Sequence, residues 1–171
     1  MQMVKKGLGI FFAVWLALVL FMPKAELYYA AEKMLAKYDI KLNEKRIDEG
    51  LFSLTVKDVT VYVKGIALAS IDELDFFTLL FYTKVDIKNL LVDEALQSKV
   101  PANITKATLS HTILSPLIVS VDANGSFGVA EGKISLLDKK VHINFSDIKD
   151  ISMMKSFLKK DEKGWLYEES F

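Results

Sequence analysis

The side chains able to do chemistry are few in this chain, and they are spaced too far apart to act together. There are two histidines, His111 and His142. His142 falls on the polar side of the alternating stretch Val141, Ile143, Phe145, whereas His111 stands between Leu109 and Ile113 on an apolar side. A general base or a metal ligand needs a partner within hydrogen-bonding or coordinating reach. Neither histidine has one at suitable spacing. The acidic group Asp72, Glu73 and Asp75 reads as a solvated turn and not as an oxygen-ligand loop for a divalent cation. Residues 124–132, NGSFGVAEG, place Gly125, Gly128 and Gly132 in a pattern that superficially suggests a phosphate loop. Such a loop needs a lysine at a set spacing from its glycines and a following helix, and the run does not supply that pairing. Glycines at these positions of a strand instead permit a bend, a bulge or a close backbone approach. The absence of cysteine excludes disulfides, thiolate nucleophiles and thiolate metal sites. The expectation is a protein that is not an enzyme and holds no cofactor or metal. A hydrolase pairing an Asp or Glu with His111 is the alternative from another class.

Charge narrows the partners. The chain has 22 basic and 22 acidic residues, so no long-range field draws it toward a polyanion. Arg46 is its one arginine, which argues against bidentate recognition of phosphate. Nucleic acid is not an expected partner.

The elements that carry these residues follow a leader of different character. Residues 7–22, GLGIFFAVWLALVLFM, contain no charge, and Lys5 and Lys6 precede them. The run lies near the lower limit for a membrane-spanning helix, for which roughly 17 to 25 residues are needed. Lysine stems can extend such a span by reaching the headgroups. A cleaved signal peptide is the competing reading, but cleavage after Ala25 puts Pro23, and cleavage after Ala30 puts Tyr28, where a small residue belongs. Residues 1–6 are accordingly expected as a cytoplasmic tail, 7–23 as a transmembrane anchor, and the bulk as a periplasmic domain at a bacterial inner membrane.

Beyond the anchor the fold class reads as α+β. Leu27, Ala30, Ala31, Met34, Leu35 and Tyr38 recur at helical spacing, which predicts an amphipathic helix over residues 24–39 whose apolar stripe faces a sheet. From residue 40 to 146 the period becomes two, as in Val59, Val61 and Val63 opposed by Thr60, Tyr62 and Lys64. This predicts a twisted antiparallel meander of seven to nine strands, with Asn124-Gly125 as a hairpin signal. Residues 147–171 read as a short helix capped by Asp150 and ended by Gly164, followed by an aromatic tail docking on the sheet.

One run breaks the alternation. Phe76, Phe77, Leu79, Leu80, Phe81 and Tyr82 offer apolar side chains on both faces, so the strand needs cover on both sides or lines a groove or partner surface. These six are the expected lipid or partner contacts, with Trp165, Tyr167 and Phe171 second. The expected partners are the lipid bilayer, a protein of the envelope and a lipid ligand.

The anchor, the helix and the segments GLFSLTVKDVTVYV (residues 50–63) and ANGSFGVAEGKISLLDKKVHINF (residues 123–145) together resemble the AsmA-like group of envelope proteins, among them the type II secretion system protein N family. The resemblance implies an inner-membrane protein with a twisted periplasmic sheet, working in secretion or envelope lipid homeostasis. It brings no catalytic residues. The chain is shorter than typical members, which leaves a complete groove out of the inference.

Overall fold

A computed structural model describes residues 2–21, 23–79, 81–93, 96, 103–146, 155, 157–161 and 164–171. It contains helices α1 (Gln2–Phe21) and α2 (Lys24–Ala36) and a single open antiparallel sheet of eleven strands. Strands β1 (Ile40–Asn43) and β2 (Arg46–Glu49) both pair with β3 (Ser53–Val63). A continuous meander then runs through β4 (Ile66–Leu79), β5 (Tyr82–Val92), β6 (Asn103–Thr112), β7 (Ile118–Gly125), β8 (Gly128–Ser135) and β9 (Lys140–Ser146). The sheet ends with β11 (Gly164–Ser170) against β9, and β10 (Lys159–Asp161) outside it.

The α+β class and the meander are as the alternation predicts, with nine strands between residues 40 and 146. Three expectations change. The carboxyl-terminal helix is not found among the described residues, although residues 147–154 and 156 lie outside them. Lys159 and Lys160 belong to β10, and Gly164 opens β11 at φ 136° instead of ending a helix. A charged stretch beside an aromatic one can form a hairpin as readily as a helix, since the cross-strand pair Lys159 with Leu166 exists only once β9 supplies an edge. The Asn124-Gly125 pair also does not form the turn itself. Gly125 still pairs with Gly128, so Ser126 and Phe127 turn the chain and Gly128 takes the positive φ of 101°. Finally, α2 packs the sheet with Ala25 and Tyr28, while Leu27, Met34 and Tyr38 from the predicted stripe stay exposed.

The register explains how one face stays apolar. In-register positions form a row of Leu54, Phe76, Val85, Leu109, Val121, Gly132, Ile143 and Tyr167. The neighbouring row is Val56, Leu74, Ile87, Ala107, Ala123, Ala130, Phe145 and Trp165. Between them on the opposite face runs Thr55, Asp75, Asp86, Thr108, Asp122, Glu131 and Asn144. Side chains alternate faces along a strand, so this pattern gives one greasy and one wet side.

A strict period of two does not hold over the full length of β3, β4 and β5. Asp58 (φ 52°) and Asn89 (φ 50°) are left-handed residues that shift the phase by one, so that Val56 and Val59, and likewise Ile87 and Leu90, share the apolar face. On β4, Ile71 and Leu74 show the same three-residue step. The three slips coincide, and Asn89 bridges to Asp72 across them, its side-chain amide donating to a carboxylate oxygen at 2.9 Å.

Two buried clusters sit on the apolar face. Tyr28, Leu54, Val56, Val59 and Ile71 form one beneath α2, and Phe127, Ala130, Phe145 and Leu158 form the other near the far end. Between them, Val85, Leu109 and Val121 are half-buried, and α2 does not extend over them. Among the described residues, no helix is long and apolar enough to cross a membrane.

Candidate functional site

A cavity lies on the apolar face where α2 begins. Lys24, Leu27, Tyr28 and Ala31 from the helix face Phe52, Leu54, Phe76 and Thr78 from β3, β4 and the link before β3, around a cavity of about 340 Å³. The walls are almost wholly apolar. Glu49 fixes the entrance of the helix by accepting the Lys24 backbone N–H at 2.9 Å. This carboxylate takes the place of the side-chain cap that Pro23, preceding the helix, lacks. Tyr28 then reaches down into the first cluster. Its hydroxyl donates to Glu44 at 3.4 Å, and burial together with the Glu44 and Glu32 carboxylates raises its pKa well above that of an ordinary phenol. The phenol therefore stays neutral and acts as an apolar wall with one polar tip.

The opposite face is electrostatically organised. Thr55 donates to Asp75 and Thr108 to Asp86, both at 2.6 Å, and Lys84 pairs with Asp86 at 2.6 Å. Lys57 approaches Glu73 at 3.8 Å, and Lys88 lies between Glu73 and Asp75. Partial burial opposes ionisation of both aspartates. The hydrogen bonds from Thr55 and Thr108 and the nearby Lys88 and Lys84 outweigh it and hold both carboxyls below their usual range. The acidic group around Asp72 is thus a set of paired charges on strands, not the turn expected of it.

The expected contact residues divide among several places. Phe76 lines the cavity, while Phe77 points to the wet face opposite Lys84. Leu79 and Tyr82 close the β4 to β5 hairpin as a pair, and Leu80 lies outside the described residues. Phe81 is 54% exposed at the hairpin tip and stacks on Trp15 of α1, ring centroids 5.3 Å apart. Covering both sides of this strand therefore proves unnecessary over most of its length. Trp165 and Tyr167 pack on the second cluster, and the Lys155 ammonium sits 5.6 Å from the Trp165 ring. Phe171 is exposed beyond the end of β11. The tail docks on β9 along its length, and of its aromatic side chains only Phe171 stays in solvent.

His111 hydrogen-bonds through Nε2 with the Pro116 carbonyl at 3.0 Å, within its own hairpin link. His142 is exposed on the wet face. Among the described residues no three His, Asp or Glu side chains gather as a metal site.

Sequence reading alone misses Lys24, Leu27, Tyr28, Ala31 and Phe52 as cavity residues. Their signal is the three- and four-residue spacing in α2, which gives a helical face but not the register in which it meets β3. No protein-family model, curated protein or solved structure matches the chain. The class that fold and site define is an open antiparallel meander with one apolar face, partly roofed by a helix that leaves an apolar cavity.

Proposed function

We propose that this is a membrane-tethered, non-catalytic lipid-binding protein of the bacterial envelope, in which the cavity under α2 receives an acyl chain. The observation that carries the reading is the cavity itself, because its volume falls within the roughly 300 to 1,000 Å³ of ligand sites and its lining offers almost no polar partner. The apolar rows continue from Phe76 and Leu54 across β5 to β7, so a chain longer than the cavity has a greasy path to follow. Lys24 and Thr78 supply the polar groups at its rim.

The tether in this reading is α1. Its charge-free part, residues 7–21, is about 22 Å long at 1.5 Å per residue, short of a hydrocarbon core of about 30 Å. Lys5 and Lys6 supply the remaining reach by extending toward the headgroups. Leu8, Ile10, Phe11, Val14, Leu18 and Phe21 are exposed around the helix, which suits hydrocarbon and not water. The amino terminus lies inside, and the sheet lies on the periplasmic side. The likeness to AsmA-like envelope proteins agrees with this arrangement.

The test is solvent extraction of the full chain purified in mild detergent, with mass spectrometry of what it releases. Near-stoichiometric phospholipid or fatty acid is expected, falling several-fold in Ala31→Trp, whose indole fills the cavity. Lipid no more abundant than for an unrelated single-helix protein in the same detergent, or unchanged in Ala31→Trp, overturns the proposal.

A further inference from the structure

The links at the two ends of the strands are each tied by backbone hydrogen bonds. At one end, four backbone hydrogen bonds tie successive links together: Thr78 N–H to Phe52 O at 2.8 Å, Ile113 to Phe81 at 2.9 Å, Leu136 to Leu117 at 2.8 Å and Phe171 to Lys139 at 3.0 Å. The links joined in this way carry large apolar side chains turned into solvent. Leu114 is 91% exposed, Leu137 72% and Leu51 70%. Ile113, Leu117, Leu136 and Phe171 stand beside them, also exposed. At the other end, among the described residues, Lys64 N–H to Asp39 O at 2.8 Å, Asp93 to Leu68 at 2.9 Å and Ser126 to Asn103 at 2.9 Å tie the links in the same way, and the exposed apolar side chains there are Tyr38, Ile66, Leu91 and Phe157.

Hairpin links ordinarily carry Gly, Asn, Asp or Ser, because turn geometry and solvation favour them. Leucine and isoleucine at three successive links of one edge need another explanation. The links of β4 to β5, β6 to β7 and β8 to β9 are each two strands apart, about 10 Å. They form a row of apolar fingers that follows the twist of the sheet. A fluid apolar medium fills the gaps between such fingers, and a rigid protein surface must be shaped to match each one.

Two further observations place that medium. The start of α2, and with it the chain leaving α1, lies at this edge, where Lys24 meets Glu49 and the cavity is bounded by Phe52 and Thr78. The first finger touches α1 directly through the Trp15–Phe81 stack, with ring planes 22° apart. Trp15 lies eight residues before Pro23, about 12 Å along the helix axis. A bilayer that takes up α1 therefore meets Phe81 well below its surface.

We infer that this edge is a second membrane contact: the links bearing Leu51, Phe81, Leu114, Leu117 and Leu137 insert into the outer leaflet of the bilayer that holds α1. They stand the sheet upright on the membrane, with the cavity at the lipid surface. Apolar groups of an interfacial element lie about 5 to 10 Å into the headgroup and acyl boundary. Tyr82, Lys139 and Lys140 stand next to the fingers, where an amphipathic ring and lysine stems suit the headgroup level. The inference shares the α1 tether with the proposed function and is independent of whether the cavity holds lipid.

The chain has no cysteine, so single-site labelling is available. The full chain carrying Leu114→Cys, Leu137→Cys or, as a control on the wet face toward the other end, Asn124→Cys is labelled with an environment-sensitive fluorophore. It is then reconstituted into vesicles of phosphatidylethanolamine and phosphatidylglycerol with a nitroxide high on the acyl chain. Blue-shifted emission and several-fold stronger nitroxide quenching are expected at the two leucine sites and not at position 124. Emission and quenching equal to the control overturn the inference. So does a blue shift without nitroxide quenching, which means that protein, a second copy included, covers the row. Alkaline carbonate extraction of the same vesicles reports separately on α1, so an embedded helix with unquenched fingers overturns the edge contact alone.

Discussion

The Trp15 indole lies nearly parallel to the Phe81 ring at 5.3 Å, joining the middle of α1 to the tip of the β4 to β5 hairpin. It is a contact between a helix whose apolar side chains stand exposed and the tip of a hairpin of the sheet. Offset aromatic pairs contribute about 0.5 to 1.5 kcal/mol beyond their burial. Phe81→Ala is therefore expected to free α1 from the hairpin with little change in the unfolding of the sheet. Tryptophan emission in a Trp165→Phe background, which leaves Trp15 as the sole indole, should change in wavelength or intensity when Phe81 is removed. An unchanged spectrum rejects the contact.

Acid should weaken the wet face. The Asp75 and Asp86 carboxyls lie below their usual value of 3.8, with Thr55, Lys88, Thr108 and Lys84 outweighing partial burial. A carboxyl lowered in the folded state takes up protons more readily once unfolded. Its contribution is complete above the unfolded value and is lost as pH falls through the folded one. Urea midpoints are expected to hold from neutrality to about pH 5 and to fall below about pH 4. Thr55→Val combined with Thr108→Val should flatten that fall, because the donors that lower the two carboxyls are gone.

Much of this sheet can be read from the order of residues, and the reason is the exchange of apolar with polar residues along strands such as β3 and β9, the latter with Val141, Ile143 and Phe145 set between Lys140, His142, Asn144 and Ser146. The phase slips at Asp58 and Asn89 show in the sequence only as three-residue steps, Val56 to Val59 and Ile87 to Leu90, which a strand pattern of period two does not assign to a left-handed residue. The orientation of α2 is hidden for a related reason. Its Ala and Tyr side chains give two plausible faces, and only the Glu49 contact and the position of Tyr28 over Val56 and Leu54 decide between them. The row of apolar fingers escapes notice because each looks, alone, like an ordinary exposed leucine. Their alignment emerges only from register.

Tyr28 separates packing from polarity. Tyr28→Ala empties the space above Leu54, Val56 and Val59 and should cost about 3 to 5 kcal/mol. Tyr28→Phe loses a long hydrogen bond to a partly exposed Glu44 and should cost less than about 1 kcal/mol. Thermal or urea unfolding followed by circular dichroism distinguishes them, and equal losses contradict the packing role.

Gly132 lies in the apolar row between Val121 and Ile143. A methyl group there meets the His142 carbonyl and lies 2.7 Å from the Ile143 Cα, both main-chain atoms that cannot swing aside. Gly132→Ala is expected to destabilise the β8 to β9 pair by about 1 to 3 kcal/mol. Hydrogen exchange should report this as faster exchange at Ile143 and Phe145, while the strands beneath α2 keep their protection.

The meander has a consequence for how the molecule comes into being. From β3 to β8 each strand is bonded to the one made immediately before it and the one made immediately after. Contacts that are close in sequence form early and need little loop closure. A newly emerging chain can therefore zip up one hairpin at a time as it is made, with no long wait for a distant segment and little time in which its greasy side stands open to other unfinished chains.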